Sequence, residues 1–179
     1  MQIATNGPID ESISFQKSLT LRAADRFTPL FSGGQVVLAE SPNSGTNLID
    51  IEDLTFETAA IVVIQNSPDL LTATVAGNSF KATFNGPAIE MEAGLSGAGA
   101  VALDVSRNAM TVLPWDPVTV GIAVRLGEAA NASGRIANNA IAVQGASGGI
   151  FAEATSMNLD VFGNQISGTN YNSGIEISP

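Results

Sequence analysis

Five segments of the chain follow one template at nearly regular intervals: Leu48 to Phe56, Thr72 to Phe80, Ala102 to Met110, Gly134 to Ile141 and Asn158 to Ile166. In the last four, an Asn stands two residues before the closing apolar residue. These are Asn78, Asn108, Asn139 and Asn164, at periods of 30, 31 and 25 residues. A repeat in this range marks a solenoid, in which each unit buries its apolar face only against its neighbours. A second anchor, a small residue followed by Ile, runs alongside the first at Ala60-Ile61, Ala88-Ile89, Gly121-Ile122, Gly149-Ile150 and Gly174-Ile175. The residues after it alternate, as in Ile89-Glu90-Met91-Glu92, which is the period of a half-buried strand.

No helical periodicity separates these segments, and Gly, Asn and Ser dominate the connections. Three short strands per turn, all advancing the same way, predict an all-β fold, a right-handed parallel β-helix of about five to six rungs. The hand follows from the rule for crossovers between parallel strands. Residues 1–35 are expected to form the first rung, and residues 36–179 the repeats of the same domain. Stacking in register places Ile89, Ile122, Ile150 and Ile175 in one buried column, and Val75, Val105, Ile136 and Val161 in another. The four Asn are read as turn residues that tolerate the left-handed conformation and bond to one another through their amides.

The stretch Gly7-Pro8-Ile9-Asp10-Glu11, running on to Arg22, is similar to the Gly-x-Tyr-x-Glu segment and first rung of the right-handed β-helix superfamily typified by pectate lyases and pectin methylesterases. Ile9 stands in place of the aromatic. The recurring Asn resembles the asparagine ladder of those proteins, and the likeness covers residues 7 to 179. It implies a secreted or cell-surface parent protein, with saccharide bound on the strand face that follows the second anchor.

Composition narrows the partners. With 17 acidic and 7 basic residues the net charge is −10, which argues against nucleic acid or an anionic membrane as partner. No apolar run approaches the roughly 18 residues that span a bilayer, and residues 1–6 lack the basic and apolar stretch of a signal peptide. Zero Cys and zero His exclude disulfides, thiolate chemistry, the usual zinc sites and any His-based triad. No cofactor or metal is expected. The last repeat stops at Pro179, partway round a turn and without a polar cap. It reads as a segment of a longer protein, whose uncapped rung offers an edge for end-to-end self-association.

On the strands after the second anchor, Ile and Ile+2 point inward and the residues between them face out. That outer face carries Glu90, Glu92, Arg125, Glu153 and Glu176, in a chain with only 13% charged residues. Glu92, Arg125 and Glu153 fall in one column, a cation between two carboxylates. Asp104, Arg135 and Asp160 repeat the device on the strands before the Asn. Opposite charges on neighbouring strands contribute roughly 0.2–1 kcal/mol per pair, so a register device accounts for both columns. Aromatic residues in loops leading to the first face, Phe84, Trp115 and Tyr171, suit the CH-rich faces of sugars.

The expected function is a non-catalytic β-helix scaffold or recognition module, with Glu90, Glu92, Trp115, Arg125, Glu153, Tyr171 and Glu176 as candidate saccharide contacts. A polysaccharide lyase or glycoside hydrolase fragment is one alternative. Glu90 with Glu92, or Glu92 with Glu153, would supply the carboxyl pair of an inverting glycosidase, about 6.5–9.5 Å apart. Lyase chemistry would need calcium ligands and a base, and Arg125 stays protonated. No residue is assigned a catalytic role. The other alternative is a purely structural stalk.

Overall fold

The computed structural model describes residues 1–33, 36–42, 44, 47–58, 60–83, 86–93, 98–113, 120–127, 130–144, 148–169 and 173–178. The chain opens with β1 (Gln2–Ile3), β2 (Pro8–Ile9) and β3 (Ile13–Gln16), followed by β4 (Leu19–Ala23), β5 (Leu30–Phe31) and β6 (Val37–Glu40). Next come β7 (Asn47–Glu52), β8 (Thr55–Phe56) and β9 (Ile61–Gln65), then β10 (Leu71–Ala76), β11 (Ser79–Thr83) and β12 (Ile89–Ala93). The last nine strands are β13 (Val101–Ser106), β14 (Ala109–Val112), β15 (Val120–Gly127), β16 (Ala132–Ala137), β17 (Ala140–Gln144), β18 (Gly148–Ala154), β19 (Met157–Phe162), β20 (Gln165–Thr169) and β21 (Ser173–Ser178).

Every third strand pairs in parallel, giving three seven-stranded sheets: sheet A from β1 to β19, sheet B from β2 to β20 and sheet C from β3 to β21. The fold is a parallel β-helix with three strands per rung. It has seven rungs, more than the five to six expected, because residues 1–35 hold one complete rung and two strands of the next. β1, β2 and β5 are two residues long, too short to show an alternation.

Inside, like stacks on like. Ile89, Ile122, Ile150 and Ile175 share one register column of sheet C, and Val75, Val105, Ile136 and Val161 share one of sheet A. The first three Ile are buried, but Ile175 and Ile177 are each 47% exposed. The expected burial of Ile175 therefore fails, because a final rung has a neighbour on one side only. Sheet B contributes a stack that alternation alone does not reveal. Phe31, Phe56 and Phe80 lie face to face with centroids 5.0 and 4.8 Å apart, close to the spacing of the strands that carry them. The second anchor has a steric cause: a Cβ on Gly149 would meet the Gly174 carbonyl oxygen at 2.4 Å and Ile166 Cδ1 at 2.6 Å.

From the third rung on, the turn from sheet A to sheet B takes two residues. The first adopts positive φ, at Asp53, Gly77, Arg107, Asn138 and Gly163, and the second is Leu54 or one of the ladder Asn. The left-handed residue is thus the one before each ladder Asn, which corrects the expectation that the ladder residue itself adopts that conformation. Asn108 Oδ1 accepts from the Asn78 N–H at 3.0 Å and from its Nδ2 at 3.1 Å. Asn139 Oδ1 accepts from Asn108 in the same way, and Asn164 Oδ1 from Asn139. The second Nδ2 proton of Asn108 goes to the Val75 carbonyl and that of Asn139 to Val105, so these two amides use their full capacity. The ladder ends at Leu54, whose N–H donates to Asn78 Oδ1.

Candidate functional site

The outer face of sheet C has the expected register. Glu92 pairs with Arg125, Arg125 with Glu153, and Glu153 with Ser178. The second outward column runs through Val62, Glu90, Ala123, Phe151 and Glu176. The ion pair departs from the expected one. Arg125 Nη1 bonds Glu90 Oε1, the diagonal neighbour, and among the described residues it makes no ion pair with Glu92 or Glu153. Ala123 is the residue in register with Glu90, and its methyl leaves room for the long side chain to cross. Arg125 also holds its guanidinium carbon 6.0 Å from the centre of the Phe151 ring, within cation–π range.

Burial raises the Glu90 carboxyl above its ordinary value of 4.5; the Arg125 charge opposes the rise, and Glu92 adds to it. Half-buried Val62 stands in register with Glu90 on the preceding strand, and only 14% of the Glu90 side chain is exposed. Glu153 and Glu176 are exposed.

On sheet A, Asp104, Arg135 and Asp160 stand in the expected column. Arg135 Nη2 bonds Asp104 Oδ2 at 2.6 Å, and that bond is the main cause holding Asp104 below its ordinary value. Both Arg side chains thus pair toward the N-terminal rung. This leaves Glu153 and Asp160, their C-terminal neighbours, without an ion pair among the described residues.

Trp115, Tyr171 and Phe84 lie outside the described residues. The structure adds Phe151, an outward residue that the charge pattern does not single out. The signal was present in Gly149-Ile150-Phe151, where the residue after the inward Ile must face out. Comparison of the chain with models of protein families, with curated proteins and with solved structures returns no match.

Proposed function

We propose that this β-helix is a non-catalytic recognition module that holds saccharide against the outer face of sheet C, in a secreted or cell-surface protein. The observation that carries the reading is Phe151, an outward-facing, half-buried ring beside a guanidinium held in place by Glu90. A ring supports the CH face of a sugar, while an oriented guanidinium and the neighbouring carboxylates bond its hydroxyls. Glu92, Glu153 and Glu176 extend the polar rim. Trp115 and Tyr171, in the connections leading into β15 and β21, join the proposal by their place in the sequence. The likeness to pectate-lyase-like β-helices supports the same face.

A glycan microarray tests the reading. The parent protein should bind a defined oligosaccharide, and Phe151→Ala should weaken that binding at least severalfold while leaving the melting temperature nearly unchanged. A broad array with no binder would leave the stalk as the better account. Release of reducing sugar or of unsaturated products from the bound glycan would make the chain an enzyme instead.

A further inference from the structure

The two end rungs of the β-helix differ, and the difference selects a partner. In the last rung β19, β20 and β21 each pair on one side only among the described residues. Three strand edges, of 6, 5 and 6 residues, therefore present N–H and C=O groups along a free side. Inside them the core lies open. Ile175 and Ile177 are each 47% exposed, and Met157, Leu159, Val161 and Ile166 are half-buried, whereas Ile136, Ile141 and Ile150 one rung earlier are buried. Phe162, outward at the rim, is 50% exposed.

The first rung is blunt by comparison. Its edges are 2, 2 and 4 residues long, Pro8 has no N–H to offer, and Phe15 closes the core at 9% exposure. Short edges and Pro are what keep a sheet from pairing further; long edges around apolar side chains are a template for it.

The shape of that template restricts what fits. An extended peptide pairs with one edge and leaves the other two, and the apolar centre, uncovered. Covering all of it takes another rung with three long edges around an apolar centre, and of this molecule's two end rungs only the last one qualifies. Two copies meeting there are related by a two-fold axis across the helix axis, which reverses the strand direction. One edge then meets its own copy and the other two meet each other, all antiparallel and matched in length to within one residue. Charge offers little resistance, because these three strands carry two charged residues, Asp160 and Glu176, in a chain of net charge −10. We infer that the last rung is a homodimerisation surface, on which a second copy of the chain docks head to head and joins two β-helices through one continuous core. The inference does not depend on saccharide binding at sheet C.

Sedimentation equilibrium of the chain tests it. The mass should rise from monomer to dimer with concentration and go no further, since a two-fold contact closes on itself. Both copies are anionic, so the dimer should tighten as salt screens their repulsion. Ile177→Lys puts a charge on the apolar face at a position already half open to water, and should raise the dimer Kd about tenfold or more; Ile177→Leu should leave it nearly unchanged. Hydrogen exchange of the parent chain reads the same contact without a substitution: amides of β19, β20 and β21 should slow as concentration rises, and those of β1, β2 and β3 should not. A chain that stays monomeric at every concentration, a mass that keeps growing as head-to-tail filaments, or a dimer indifferent to Ile177→Lys would overturn the assignment.

Discussion

Sheets B and C are built on the same rungs with the same spacing, yet they distribute bulk in opposite ways. Sheet B turns its large side chains inward, with Phe31, Phe56, Phe80 and Met110 in the core, and carries mostly Ser, Ala and Thr outside, with Lys81 and Gln165 among them. Beyond Phe15, sheet C fills its inner columns mainly with Ile, Val, Ala and Met, and carries Arg125, Phe151 and its Glu residues outside. One face becomes a groove and the other a ridge. In a β-helix the inward columns make the scaffold, and the outward residues, free of that demand, decide what each face can meet.

The comparison breaks most severely in the phenylalanine stack. Phe56 is fully buried and stacked on both sides, so Phe56→Ala should cost about 3–5 kcal/mol. Because Phe56 stacks on Phe80 of the next rung, the damage should reach sheet B first and leave the Arg125–Glu90 pair intact. Urea denaturation gives the cost, and amide chemical shifts give its location. A loss below about 1 kcal/mol, or shifts centred on sheet C, would mean that the stack does not organise sheet B.

Next in size is the ladder at the corner between sheets A and B. Asn108→Ala strips acceptors from the Asn78 N–H and Nδ2 and a donor from the Val75 carbonyl, in a site where Asn108 is 1% exposed. Orphaned buried groups cost about 1–3 kcal/mol each; Asn78 Nδ2 keeps acceptors at the Ile51 and Ala76 carbonyls, so two groups are left without this partner and a loss of about 2 kcal/mol or more is expected. Hydrogen exchange should quicken at the Asn78 amide before any amide of β12 or β15. Asn164→Ala should cost less, since water reaches that half-buried position.

Much of this was legible in the sequence. Residues two apart share a face and residues one repeat apart share a column, so the Ile and Val columns and the Asn ladder could be read from period and alternation alone. The first two rungs could not, since two-residue strands and the six-residue connection between β4 and β5 leave no pattern. Register also fixes Cα positions without fixing side-chain reach. Arg125 was correctly placed beside Glu92 and Glu153, but its length carries it to Glu90. The groove escaped notice for a different reason: Ala109, Ala140 and Ala142 are informative only once the larger side chains around them are in place.

The smallest expected effect sharpens the contrast from the sheet C side. Glu90 titrates above 4.5 in the folded protein because burial outweighs the attraction of Arg125. The folded state therefore holds this proton more tightly than the unfolded chain does. The resulting contribution to stability is fully present below about pH 4.5 and is lost as pH rises from there through the raised folded value. Glu90→Gln keeps the shape and cannot ionise, so its stability should match that of the parent in acid and equal or exceed it at pH 7. Urea midpoints of the two proteins between pH 4 and 7 measure the difference, and the Gln variant should show the flatter profile. A variant clearly less stable than the parent at pH 7 would show that the ion pair with Arg125 outweighs the burial of Glu90. The outer face of sheet C would then be held mainly by charge pairing, as two columns of opposite charges in the sequence first suggested.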